Sequence, residues 1–254
     1  MVESTTHLAS ESEHIPYELS GVAADRYQMQ PITIARLLAQ QVRSDGLDPR
    51  DLTVLDFACG RGELLQRLAE LGFRVRGMDD DPTCVSIASG HGPCIQGGLG
   101  ALGTVVPAKS VDILVASHIL EHLPNPIESL ARFASVARSY VFVAVPNLTS
   151  WWFFRSHLLR RDPQPPLGHI MGWDWAHLRI LLTHHAGLTI AREWGFQIAV
   201  IPVAGLERVL PGPLKGLARA LDRALQPLHY QWLPRLFPRV AHQIMVICRV
   251  PPPR

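Results

Sequence analysis

The chain has 254 residues, 47% of them hydrophobic and 18% charged, which suits one large globular domain with an ample core. No apolar run approaches the roughly 18 residues that a membrane span needs, and the polar, acidic start MVESTTHLASESEHIP lacks the basic opening and apolar stretch of a signal peptide. Net charge is only +2, yet residues 1–150 hold 11 Lys/Arg against 17 Asp/Glu, and residues 151–254 hold 13 against 5.

In chain order, residues 1–26 read as a flexible arm, 27–250 as a single domain and 251–254 as a tail. PITIARLLAQQV (31–42) is an amphipathic helix with Pro31 in its first turn. The strand TVLDF (53–57) runs through the turn ACGRG into the helix ELLQRLAEL (63–71). RVRGM (74–78), VDILVAS (111–117) and YVFVAV (140–145) are further strands, with helices DPTCVSIAS (81–89) and PIESLARFASV (126–136) among them. Strands alternating with helices predict βαβ units and a parallel sheet covered on both faces.

After Pro146 the texture changes. Ser150 opens a short helix carrying Trp151, Trp152, Phe153 and Phe154, which DPQPP then breaks, so 147–172 reads as an aromatic and basic lid. WDWAHLRILLTHHAG (173–187) is a helix stopped by Gly187, and LTIAREWGFQIAV (188–200) and VAHQIMVICRV (240–250) are the last two strands. Between those strands, 201–239 forms a basic helical insertion containing LKGLARALDRALQPL (214–228). Cys59, Cys84, Cys94 and Cys248 form no CxxC pair and no zinc spacing, so they read as reduced thiols, with the cytoplasm as default compartment.

The turn after the first strand points to a ligand. Gly60 and Gly62 permit close backbone approach at the carboxyl edge of an open sheet, where ligands bind. A dinucleotide fingerprint would need a third glycine where Leu65 stands, and it would not end its strand on an acid. Asp56 would repel a pyrophosphate but attract an ammonium group. Asp79, at the end of the second strand, is placed to accept hydrogen bonds from two ribose hydroxyls.

D-x-A-C-G-x-G followed by G-M-D resembles the class I S-adenosylmethionine-dependent methyltransferases, with Ala58 standing where their pattern has glycine. The resemblance covers roughly residues 27–200 and the final strand. It implies a Rossmann-like α/β three-layer sandwich whose seven-stranded sheet is mostly parallel, with an antiparallel last strand beside the preceding edge strand. It implies S-adenosyl-L-methionine as cofactor, room for it at Gly60 and Gly62, its ribose on Asp79, and its ammonium oriented by Asp56. VDILVASHILEHLPNP and VFVAVPN resemble the fourth and fifth strands of a subgroup that includes ubiquinone-pathway O-methyltransferases. Gly98 stands where that subgroup often has Gly-Asp beside the adenine. Ala58, Cys59, Asp80 and Ser117 complete the expected cofactor set. Tyr27 and Met29, ahead of the first helix, either lie across the cofactor or pack.

Methyl transfer is an in-line displacement whose reactivity resides in the cofactor, so the protein must align the acceptor and take up its proton. His118, just after the fourth strand, is the expected general base, because histidine titrates near neutral pH. Glu121 and His122 either share that task or brace the loop. His169 either touches substrate or caps the helix starting near Trp173. The subgroup's E-x-x-E-H loop assists its acceptor through a divalent ion. Here His118 replaces the first acid, which disfavours magnesium, and no metal ligand set is assigned. The expected activity is O-methylation of a small-molecule or lipid-linked acceptor. N- or C-methylation and a non-catalytic cofactor-binding module are the alternatives. No nucleic-acid-binding module is recognisable. The basic, aromatic second half is compatible with peripheral membrane contact.

Overall fold

The computed structural model describes residues 22–159, 169–198 and 210–252. The expected arm (to residue 21), the DPQPP break, residues 199–209 of the last strand pair and insertion, and the end of the tail lie outside the described residues. Seven strands form one sheet: β1 (Thr53–Phe57), β2 (Arg74–Asp79), β3 (Cys94–Gln96), β4 (Val111–Ser117), β5 (Ala137–Pro146), β6 (Thr189–Phe196) and β7 (Gln243–Arg249). Their order is β3-β2-β1-β4-β5-β7-β6. The first five are parallel to one another, and β7 lies antiparallel between β5 and β6. The seven-stranded, Rossmann-like sandwich is the expected fold.

Alternation along the strands explains the two helical layers. Val141, Val143 and Val145 of β5 share one core with Leu130 and Phe133 of α4 (Pro126–Val136) and Leu178 of α6 (Trp175–Ile180). Tyr140, Phe142 and Ala144 face the other way, onto Ile34 and Leu38 of α1 (Val22–Ser44) and Leu64 and Leu68 of α2 (Glu63–Glu70). Phe133 and Phe142 are fully buried, and each such side chain contributes about 1.5–3 kcal/mol. A short helix, α3 (Pro82–Ala88), capped by Asp81, links β2 to β3. Strand β3 spans three residues between glycines, too short for its pattern to stand out.

Several boundaries differ from expectation. Helix α1 begins at Val22, so residues 22–26 are helical, Tyr27 and Met29 lie within the helix, and Pro31 sits in its interior. Pro31 lacks the N–H that would bond the Tyr27 carbonyl, but Ala, Arg, Met and Gln before it favour the helix strongly enough to continue through it. Helix α6 is capped by Asp174, which accepts from Ala176 N–H (2.8 Å) and His177 N–H (2.9 Å), so His169 is not its cap. A π turn (Leu181–His185) follows α6, and Gly187, at φ +65°, ends the segment. The aromatic helix is α5 (Trp151–Leu158), and the basic helix is α7 (Gly212–Pro227), followed by a π turn (Leu228–Trp232) and α8 (Leu233–Leu236).

Candidate active site

The carboxyl ends of β1, β2 and β4 meet in one place. Asp56 is buried on the face of β1 that α1 covers, and Cys59 N–H donates to the Met78 carbonyl at 3.0 Å, tying the turn to β2. Asp79 accepts from Gly60 N–H (2.8 Å) through one carboxylate oxygen and from Asp81 N–H (3.1 Å) through the other. Each oxygen keeps a second lone pair for a ligand hydroxyl. The turn uses left-handed backbone at Ala58 (φ +59°), Gly60 (+54°) and Gly62 (+88°). A Cβ on Gly62 would come within 3.0 Å of Ala88 Cα, whereas one on Gly60 would meet nothing within 4 Å. Gly62 therefore serves packing between α2 and α3, and Gly60 borders open space that fits a ligand.

Electrostatics at this edge favour a cation. Burial, then the neighbouring Asp79 and Glu63, push the Asp56 carboxyl up to about 8. Burial also raises Asp79, although its two backbone hydrogen bonds oppose the change. Burial and the charge of Glu63 push the Tyr27 phenol up to about 12, with Asp56 acting in the same direction, which places this α1 residue over the turn. Gln30, also on α1, donates from Nε2 to Ser117 Oγ at 3.0 Å and ties the helix to the end of β4. Asp80 is exposed, and its carbonyl accepts from Gln96 Nε2 at 3.3 Å. Gly98 follows β3, next to Gly97, whose N–H donates to the Asp79 carbonyl at 2.8 Å. Cys59 is buried, with its thiol raised by burial, and so contributes main chain rather than a reactive sulfur.

A second cluster lies beside this edge. His118, in left-handed backbone (φ +54°), ends β4, and its Nδ1 stands 3.2 Å from Glu121 Oε1. Glu121 is fully buried, and both its oxygens and His118 Nε2 are buried without a hydrogen-bond partner among the described residues. Burial acts to lower the His118 pKa, but Glu121, with Gln243 assisting, outweighs it and holds the imidazole above its ordinary value. His242 beside it is pushed down to about 4 by burial and by His118. The His122 and His169 rings meet edge to face at 4.6 Å, and donor atoms of Glu121, His122 and His169 lie within 4.8 Å of one another. Ile170 N–H donates to the Glu121 carbonyl at 3.0 Å, holding the His169 loop on the His118 loop.

Sequence reasoning passed over Gln30, Asn147, His242 and Gln243. Asn147 is fully buried. Its Nδ2 donates to the Arg239 (2.9 Å) and Ala241 (2.8 Å) carbonyls, and its N–H donates to the His242 carbonyl (2.9 Å). It thereby holds the start of β7, with His242 and Gln243, against His118. Its position in VFVAVPN, at the exit of β5, is the available signal; nothing in the local pattern marks Gln30, His242 or Gln243.

Residues 25–198 match the profile of the methyltransferase domain family. The chain belongs to that family. Among curated relatives, the ubiquinone biosynthesis O-methyltransferase of Bordetella pertussis (strain Tohama I) is 32% identical over 136 residues, covering 50% of this chain and 51% of that protein. The protein of the same description from Methylobacterium sp. (strain 4-46) is 31% identical over 122 residues, covering 44% and 49%. The methyltransferase thus spans about half the length of the curated relatives it matches. Among solved structures, magnesium protoporphyrin IX methyltransferase from Synechocystis PCC 6803, with bound S-adenosylhomocysteine, superimposes with a TM-score of 0.60 at 17% identity, covering 92% of this chain and 89% of that one. The plantazolicin methyltransferase BamL gives a TM-score of 0.58 at 14% identity, covering 89% and 86%. At these identities the likeness is one of fold.

Proposed function

We propose that the chain uses S-adenosylmethionine to methylate an oxygen of a small-molecule or lipid-linked acceptor, with His118 as general base. The observation carrying this reading is His118 itself: its Nδ1 faces the buried Glu121 carboxyl at 3.2 Å, while Nε2 has no hydrogen-bond partner among the described residues. In that arrangement Nε2 takes the acceptor's proton and Glu121 stabilises the imidazolium that results. Neutral His242 and Gln243 lie beside the imidazole, and His122 and His169 would border the acceptor. The shared description of the curated relatives, O-methyltransferase, supports oxygen as the methylated atom.

On the cofactor side, Asp79 would accept hydrogen bonds from the two ribose hydroxyls, Asp56 would face the ammonium group, and Gly60 would leave room for the ligand. Ala58 and Cys59 would supply main chain, Tyr27 and Ser117 would flank the methionine end, and Asp80 and Gly98 would lie toward the adenine. Bound S-adenosylmethionine supplies an electrophilic methyl group; the chain's residues orient it, exclude water and receive a proton.

A second reading is favoured by one observation, the convergence of Glu121, His122 and His169 donor atoms within 4.8 Å. Two imidazoles and a carboxylate suit a borderline divalent ion better than magnesium. It would hold the acceptor oxygen and lower its pKa. The test is methyl transfer from isotopically labelled cofactor to phenol and catechol acceptors, with and without chelator. O-methyl product whose rate rises with pH through the raised His118 value supports the base. Activity lost to chelator and restored by a divalent ion moves the role to the metal. Labelled N- or C-methyl product, or cofactor binding without turnover on any acceptor, overturns the reading.

A further inference from the structure

Exposed apolar side chains lie on three segments that adjoin the His118 cluster. Trp151, Trp152 and Phe154 of α5 are 37%, 42% and 57% exposed, and Ile170, one residue past His169, is 58% exposed. Leu236, the last residue of α8, and Phe237, which follows it, are 67% and 57% exposed. These segments are joined. The Trp152 ring packs edge-on against His242 at 6.2 Å, and Thr149, just before α5, donates from Oγ1 to the Arg239 carbonyl at 3.3 Å. They thus form a rim continuous with the wall of the candidate acceptor site. Aromatic residues so exposed around a site mark a surface that meets something apolar.

Charge identifies what it meets. Exposed Arg155 lies within α5, and exposed Arg235 and Arg239 flank Leu236 and Phe237. The described acidic residues beyond residue 150 do not offset them: Asp174 caps α6 and faces His177, Glu193 pairs with Arg179, and Asp222 is buried. Tryptophan and phenylalanine interleaved with arginine suit the boundary between lipid headgroups and acyl chains. Helix α7 does not extend this surface. Its Leu214, Leu217 and Leu221 are exposed, but Lys215, Arg219 and Arg223 project from the opposite side, and Ala218 and Asp222 face the protein. No described helix is long and apolar enough to cross a membrane, so the contact is one of surface binding.

We propose that the rim formed by α5, Ile170 and residues 235–239 docks on a bilayer containing anionic phospholipid, turning the mouth of the acceptor site toward the lipid. The part concerning the acceptor rests on the function proposed above; the docking itself does not. Sedimentation with vesicles of phosphatidylcholine alone, and of equal parts phosphatidylcholine and phosphatidylglycerol, tests it. The protein should sediment with the mixed vesicles and at least tenfold less with neutral ones. Binding should weaken on going from 0.1 M to 1 M salt, as the Debye length falls from about 10 Å to about 3 Å. The double variant Phe154→Ser/Phe237→Ser should lose binding at least tenfold while retaining calorimetric affinity for S-adenosylmethionine and turnover on a soluble acceptor, which report the proposed function separately. Failure to bind mixed vesicles at low salt overturns the proposal, as does equal binding by the double variant. A dimer in light scattering that the same variant dissolves also overturns it, because a second copy then covers the rim.

Discussion

The two halves of the site are built differently. The cofactor edge is made largely of backbone: amides of Gly60 and Asp81 close on Asp79, and the Cys59 amide closes on β2, all within one βαβ unit. The proposed acceptor side is made of side chains from four separated places: His118 and Glu121 after β4, Asn147 after β5, His169 before α6, and His242 and Gln243 at the start of β7. In the backbone half, the amides of Gly60, Asp81 and Cys59 are all paired. The other half leaves buried nitrogen and oxygen atoms without a hydrogen-bond partner among the described residues, a costly state that a reacting ligand or ion would relieve.

If this division of labour holds, damage to the two halves should separate cleanly in kinetics. The largest effect is expected from His118→Ala, which should lower kcat by about 10²–10⁴-fold while leaving the Kd for S-adenosylmethionine within about twofold. Full activity on an acceptor whose hydroxyl is un-ionised would return His118 to a structural role. Asp79→Ala should do the opposite. Loss of its hydrogen bonds should cost about 1.5–3 kcal/mol in cofactor affinity, at least tenfold in Kd by calorimetry, with kcat at saturating cofactor changed far less.

Asp56 sharpens the comparison through protons. With its carboxyl at about 8 in the free protein, it is mostly protonated at pH 7, and an ammonium group placed beside it should ionise it. Cofactor binding at pH 7 should then release up to about one proton, measured by calorimetry in buffers of different ionisation enthalpy, and Asp56→Asn should abolish that release. For folding the sign is reversed. Because the folded value lies above the ordinary value of about 3.9, the folded state binds the extra proton. This contribution to stability is full below about pH 4 and lost as pH rises through about 8, so the cofactor-free protein should melt at lower temperature at pH 9 than at pH 6, and Asp56→Asn should flatten that slope.

The smallest effect concerns Ala58. A residue with a Cβ at φ +59° carries about 1 kcal/mol of strain that glycine avoids, so Ala58→Gly should raise Tm by about 2–4 °C and leave cofactor affinity unchanged. A fall in Tm would show that Ala58 packing against the core outweighs its strained backbone.

The same contrast explains what could be read before the structure. Asp56, Gly60, Gly62 and Asp79 fall within 24 residues of chain, and strand and turn periodicity place them without tertiary information. Pro31 misled because proline is a weak boundary signal, and three-residue β3 was lost between glycines. His118, Glu121 and His122 stand together in the sequence, but His169 joins them only through tertiary contacts, the backbone bond from Ile170 to Glu121 and the ring contact with His122. His242 and Gln243 are more than 120 residues from His118 in sequence, and their arrival depends on strand pairing that no local pattern encodes.

The position of β7 also sets an order of events when the chain folds. Strand β6 pairs with β7 and not with β5, so it has no place in the sheet until a strand synthesised some 45 residues later has inserted between them. Until then β5 is an open edge of unpaired amides and carbonyls, the kind of edge that recruits other chains. Closing it requires contacts of long sequence separation, which form slowly. A nascent chain that has already made β1 to β5 would therefore hold a nearly complete cofactor turn alongside an aggregation-prone edge. Chaperone dependence and low yield at high expression rates are the expected consequences, and variants that weaken the β5–β7 pairing should aggravate both before they alter the folded enzyme.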